Sequence, residues 1–201
     1  MGLVKAGGPP REPPETLHDP AGALADDDAA IRRRAARLLG ERREGAPLLC
    51  ARLDVESDPA VREALAGALL RQPSPAVARH LVGLLSSEEA GPRNQAIELL
   101  AAMPDEVAPL IRAILADPDS DVRIFGVNVL GGLPHPQVPA WLVEVIESEP
   151  HVNVCAAAVD VLAEIGTPEA LPALDRLAAR FADEEFLRFS IDLARGRIGV
   201  D

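Results

Sequence analysis

The sequence predicts an all-α chain of about five helical hairpins stacked side by side, followed by a lone C-terminal helix. Three observations carry this. First, an apolar frame at i, i+4, i+7 and i+8, one stripe of a helix, recurs along the chain. Second, its first members fall at residues 31, 61, 92, 122, 154 and 187, steps of 30 to 33 residues. A near-constant period of this length marks repeats that bury their apolar faces only by stacking on neighbours. Third, the chain is 48 % hydrophobic but 2 % aromatic, with no Tyr and one Trp. A core of Leu, Val, Ile and Ala suits close-packed helices, and no run alternates apolar and polar residues as a strand would.

Residues 1–20, MGLVKAGGPPREPPETLHDP, are dominated by Gly and Pro and carry no periodicity. They are expected to form a flexible tail, with the repeat domain spanning residues 21–201. Ala21–Leu24 reads as the remnant of an incomplete second helix. The first helices then carry Ile31/Ala35/Leu38/Leu39, Val61/Leu65/Ala68/Leu69 and Pro92/Ala96/Leu99/Leu100, then Val122/Gly126/Val129/Leu130 and Val154/Ala158/Val161/Leu162. Ala35, Ala96, Gly126 and Ala158 are small, which lets neighbouring helices approach closely. Second helices are expected to open at Pro47, Ser74-Pro75, Asp105-Glu106, Pro136 and Thr167-Pro168-Glu169. Proline is tolerated there because the first N–H groups of a helix have no partner within it. The acidic runs ADDDAA, DPDSD and ADEE precede first helices, where they cap and complement the dipole. The last frame, Leu187/Ile191/Ala194/Arg195, ends on an arginine. Asp183–Ile198 therefore reads as a terminal helix whose outer side is expected to be polar.

The repeated phrase is Asp58/Val61/Arg62 and Asp119/Val122/Arg123, and partly Asp28/Ile31/Arg32 with Leu39-Gly40. The second helices carry Val107-Ala-Pro109-Leu110, Val138-Pro139 and Ala170-Leu-Pro172-Ala-Leu174. Together these resemble the HEAT repeats, in particular the short bacterial class named after phycobilisome lyases, over about residues 21–198. The resemblance implies a right-handed α–α superhelix whose second helices line a concave face. It also implies a ladder in which Arg32, Arg62, Arg93, Arg123 and Arg188 pair with acidic residues of neighbouring loops, lapsing where Cys155 takes the arginine's place. HEAT arrays serve many roles, so the fold alone names none.

None of the four histidines lies three or four residues from another, and none begins a His-Glu pair of the kind that holds two irons in the HEAT-like deoxyhypusine hydroxylases. No Gly-x-Ser-x-Gly, phosphate-loop or EF-hand spacing occurs. Cys50 and Cys155 show neither metal-ligand nor disulfide pairing, and both sit among apolar residues. No cofactor or metal is expected. No signal-like or bilayer-spanning run occurs, so a reducing cytoplasm is the expected location and no membrane partner is expected. The formal charge is −12, divided as −2 over residues 1–100 and −10 over residues 101–201, which disfavours nucleic acid.

The expected role is a non-catalytic scaffold that binds a partner protein, a peptide or helix of basic character, through the concave face. Off the buried stripes of the second helices, Arg79, Val82, Arg112, Val143, Glu144 and Arg176 are the candidate contacts. Trp141 reads either as an interface anchor or as a plug in the core. One alternative is a bilin-lyase-like enzyme with Trp141, His80, Arg79 and Arg112 in its cleft; another is a nucleic-acid-binding array.

Overall fold

The structure, a computed structural model, describes residues 17–42 and 44–199. Residues 1–16 of the expected tail lie outside the described residues, and Pro20 already begins a helix. Among the described residues every regular element is helical. Two compact units are present, one ending at Gln72 and one beginning at Pro73.

The first unit holds α1 (Pro20–Ala23), α2 (Ala29–Leu39), α3 (Ala46–Leu53) and α4 (Pro59–Leu70). The periodic frame explains its packing. Ala35 and Leu39 of α2 and Val61, Leu65, Ala68 and Leu69 of α4 are buried where these helices meet, and α3 adds Leu49 and Leu53. Helix starts follow from acidic caps. The Asp28 carboxylate accepts the Ala30 N–H at 2.8 Å, and Asp58 accepts those of Ala60 and Val61 at 2.9 and 3.0 Å. Each cap satisfies donors that the first helical turn leaves unpaired. Gly40 closes α2 where a Cβ would stand 2.8 Å from the Ala68 Cβ, so the glycine permits the close approach of α2 to α4.

The second unit runs through α5 (Pro75–Gly83), α6 (Ala90–Ala101), α7 (Pro104–Val107), α8 (Ile111–Leu115), α9 (Ser120–Gly132), α10 (Val138–Ser148), α11 (Val152–Ile165), α12 (Leu171–Arg180) and α13 (Glu185–Ile198). The frame-bearing helices stack in series: α6 on α9, α9 on α11, α11 on α13. The intervening helices form the second layer, with α5 against α6, α8 against α9, α10 against α11 and α12 against α13. This is the two-layer arrangement that the 30-residue period predicts. The second-layer helices are less regular than expected. Short 3-10 turns occupy Leu84–Ser86, Ala108–Leu110 and Pro168–Ala170. Pro109 sits inside the second of these, where a ring without an N–H cannot sustain the α-helical ladder.

Gly126 sits buried where α9 meets α8; a Cβ there would lie 2.6 Å from the Ile114 Cγ2. Isoleucine is stiff at that carbon, so the neighbour cannot swing aside. Gly126→Ala is expected to lower stability by about 1–3 kcal/mol through overpacking. Gly67→Ala, in mid-helix α4 with only the Arg71 Nη1 within 4 Å, is expected to raise it by about 0.5–1 kcal/mol through helix propensity. Urea midpoints measured by circular dichroism check both signs.

The terminal helix differs from expectation. Leu187, Ile191, Ala194 and Ile198 of α13 are buried, but the opposite side carries Phe186 and Phe189, each 70 % exposed, and Leu193 at 48 %. The helix therefore has two apolar stripes. The frame reveals only the one that packs inward.

Candidate functional site

The loops that start α2, α4, α9 and α11 share one hydrogen-bonded motif. An acidic residue two positions before the helix cap accepts the cap's own N–H: Asp26 from Asp28, Glu56 from Asp58, Asp117 from Asp119 and Glu149 from His151, at 2.8–2.9 Å. Four residues past the cap, the ladder arginine reaches back. Nη1 donates to the carbonyl six residues earlier in Arg32, Arg62, Arg93, Arg123 and Arg188 alike. The ladder residues thus first fasten each loop to its own helix.

Arg32 and Arg123 also reach the next loop. Arg32 donates through Nε and Nη2 to Glu56 at 2.9 and 3.0 Å, and Arg123 does the same to Glu149 at 2.8 and 2.9 Å. These are bidentate pairs, the geometry that suits a planar guanidinium best. Arg93 instead lies over the Phe125 ring, 4.6 Å from its centre. Glu56 takes a further pair of bonds from Arg52, at 2.9 and 2.7 Å. Burial by itself would push the Glu56 carboxyl up. The bonds from Arg32, the Asp58 N–H and Arg52 outweigh that and hold it at about 2. Glu149 is likewise held below the ordinary carboxylate range; burial opposes, and Arg123 and the His151 N–H prevail. Arg32 and Arg123 are thus held by carboxylates, whereas Arg93 bonds only the carbonyls of its own loop and lies on a ring.

At the fifth loop the ladder residue is Cys155, and its thiol donates to the Glu149 carbonyl six residues back, at 3.4 Å. The missing guanidinium comes from elsewhere. Arg180, the last residue of α12, donates through Nη2 to the carbonyls of Glu149 at 2.8 Å and Ile146 at 3.0 Å, and lies 3.5 Å from the Cys155 sulfur. Sequence reading missed this residue, because the repeat frame contains no position for it.

Neither thiol is a ready nucleophile. Burial raises Cys50 to about 11, and burial raises Cys155 despite the neighbouring Arg180. Among the described residues no group of three or more His, Cys, Asp or Glu could hold a metal ion, and no helix is long and apolar enough to cross a membrane.

The second layer of the second unit carries the candidate contact residues. Arg79, Arg112, Glu144 and Arg176 are exposed, while Val82 and Val143 are half-buried. Arg112 bonds Glu144 at 2.9 Å, linking α8 to α10, and Arg176 pairs with Glu147, linking α12 to α10. Such exposed pairs contribute about 0–1 kcal/mol each, so they can be exchanged for contacts with another molecule at little cost. Trp141 is buried, 5 % exposed, and its ring stacks on His135 with centroids 4.9 Å apart. It packs the interior of α10. His135 is half-buried by this stacking, and its Nδ1 accepts the Gln137 N–H at 3.2 Å.

Between α5 and α8 lies an open groove of about 350 Å³. Val82, Leu110, Ala113, Ile114 and Val122 contribute its apolar lining, with Arg79 on α5 and Asp117 and Asp119 in the loop after α8. It brings together Arg79 and Val82 but not Arg112, Val143, Glu144 or Arg176. Leu110 and Ala113 were not anticipated; the 3-10 turn around Pro109 displaces Leu110 from the fully buried stripe, a consequence readable in principle from that proline.

The HEAT-repeat family model matches residues 21–101 and 107–188, most of the chain. The chain belongs to the HEAT-repeat family. This HEAT-repeat protein is also similar to several solved structures. One is an engineered protein, 17 % identical, covering 90 % of this chain and 95 % of that one, TM-score 0.40. Another is human deoxyhypusine hydroxylase in complex with glycerol, 20 % identical, covering 90 % and 83 %, TM-score 0.46. A third is the complex of CpcE and CpcF of phycocyanin lyase from Nostoc sp. PCC7120, 19 % identical, covering 98 % and 100 %, TM-score 0.37. At these values the likenesses carry no argument about function. No curated protein sequence matches significantly.

Proposed function

We propose that this HEAT-repeat protein is a non-catalytic scaffold that seats a segment of a partner protein on the second-layer helices of residues 73–201, with the α5–α8 groove as its anchor point. The observation that supports this is the groove itself. Its apolar lining would bury aliphatic side chains, and its two flanks carry opposite charge, Arg79 against Asp117 and Asp119. That combination suits a short amphipathic peptide or helix better than a flat apolar patch would. The receptor helices are already packed, so association does not have to order them. The −10 charge of residues 101–201 favours a partner segment of basic character, with association that weakens as salt is added.

Ala113 is exposed on the groove lining. Ala113→Arg fills the groove without touching the core. For a partner captured from the native host and then purified, the expected result is a loss of about tenfold or more in affinity, equivalent to about 1.4 kcal/mol, measured by isothermal titration calorimetry. Undiminished binding by Ala113→Arg and by Val82→Asp would overturn the groove assignment. Binding insensitive to salt would remove the basic character of the segment.

A further inference from the structure

Away from that groove, the outer side of α13 is the largest exposed concentration of apolar side chains in the second unit. Phe186, Phe189 and Leu193 fall three and four residues apart, so they form one stripe along the helix. Two of the four phenylalanines in the chain are 70 % exposed on this stripe. Isolated apolar residues on a surface need no explanation, but a contiguous aromatic stripe marks an interaction face.

The charges of α13 indicate what covers it. The helix opens on Glu184 and Glu185 and closes on Arg195 and Arg197. Arg195 is held by Asp175 and Asp192, at 2.5 and 2.8 Å, which leaves Arg197 as the exposed basic group of the last turn. A helix with an acidic first turn and a basic last turn is complementary to itself when reversed. Antiparallel pairing of two copies sets each acidic end against a basic end and opposes the two helix dipoles favourably. Centred near Ile191, it brings Phe189 of one copy to the level of Leu193 of the other. It also brings Phe186 level with Gly196 and Arg197. Gly196 is exposed, and a Cβ there would meet nothing within 4 Å, so a ring has room to lie over it. Arg197 can stack on the same ring. A parallel pairing would instead place like charges together.

We propose that a second copy of this chain pairs with it through α13, antiparallel about a two-fold axis, with Phe186, Phe189 and Leu193 at the centre. The interface is isologous and closes at two copies, because each stripe is consumed by the other. A helix of 14 residues is about 21 Å long. The contact therefore lies at the small end of specific interfaces, about 1,000 Å², and the dimer is a reversible one.

Sedimentation velocity over a concentration series tests this. The expected result is a monomer–dimer equilibrium in the micromolar range. Phe186→Glu with Phe189→Glu should shift it to monomer throughout, with unchanged circular dichroism, since both side chains are exposed. Arg197→Glu alone should weaken the dimer about tenfold. Combining it with Glu184→Arg and Glu185→Arg should restore most of that loss. A wild-type protein that stays monomeric to submillimolar concentration overturns the proposal. So does a dimer that survives the double phenylalanine replacement, which would place the interface elsewhere. Failure of the charge exchange to restore pairing would overturn the antiparallel arrangement.

Discussion

Replacing Glu56 with alanine is expected to cost about 3–5 kcal/mol, the penalty typical of removing one partner from a buried ion pair. The Glu56 side chain is fully buried, and its two oxygens accept bonds from Arg32, Arg52 and the Asp58 N–H. Alanine would leave two largely buried guanidinium groups and a helix-cap N–H without their acceptor. Glu56→Gln keeps one neutral acceptor and should cost less. The pH dependence follows from the same geometry. The folded-state carboxyl titrates at about 2, below its ordinary value of 4.5. Its contribution is therefore present in full above that ordinary value and is lost as pH falls towards 2. Urea unfolding at stepped pH should show wild-type stability dropping through this window and Glu56→Gln dropping less. Glu149 is depressed for the same reason, so the Gln variant should retain part of the slope. A wild-type curve that is flat from pH 5 to 2 would contradict the pairing.

Trp141→Ala is expected to cost about 3–5 kcal/mol, the usual penalty for emptying a large aromatic site in a core. The indole is 5 % exposed and stacks on His135, so its removal opens a cavity beneath the turn before α10 and frees that imidazole. Trp141→Phe keeps most of the ring volume and should cost clearly less. As the only tryptophan, Trp141 also reports on its own surroundings. Its fluorescence should be blue-shifted and poorly quenched by iodide in the folded protein. Free quenching, or a near-neutral alanine variant, would mean that the ring faces solvent.

Much of the fold was legible because burial imposes the period. A residue that must face the next helix recurs whenever a helix does, so Ala35, Leu65, Ala96, Val129 and Ala158 mark the first layer without any coordinates. The caps Asp28, Asp58 and Asp119 were legible for a local reason: a short acidic side chain before an apolar run satisfies its own first turn. Contacts between loops were less accessible. Whether a ladder arginine finds a carboxylate depends on reach across a repeat: Glu56 and Glu149 are glutamates and are met by Arg32 and Arg123. Asp117, one methylene shorter, accepts the Asp119 N–H as those glutamates accept theirs, while Arg93 lies over the Phe125 ring. Arg180 was invisible because its role depends on how α12 lies against the loop before α11, which no repeat frame encodes. The outer stripe of α13 was in plain view at Phe186, Phe189 and Leu193. The expectation of a polar end hid it.

The groove could not be read from periodicity, since it arises where Pro109 interrupts a second-layer helix and leaves Leu110 and Ala113 accessible. Periodicity describes what is hidden; recognition surfaces consist of what remains. Subtraction of the buried stripe, the complementary rule, singles out Arg112, Glu144 and Arg176, whose side chains are exposed.

The borrowed guanidinium at the fifth loop bears on how far the modules of this chain can be shuffled. Arg180 belongs to one segment and serves the backbone of the segment before it, so the two cannot be exchanged independently. A transplant that carries residues 146–165 but ends before Arg180 would bring along a loop whose Ile146 and Glu149 carbonyls have lost that donor. Restoring an arginine at position 155 would be the natural remedy. A designer assembling hybrid arrays should cut this protein anywhere but there.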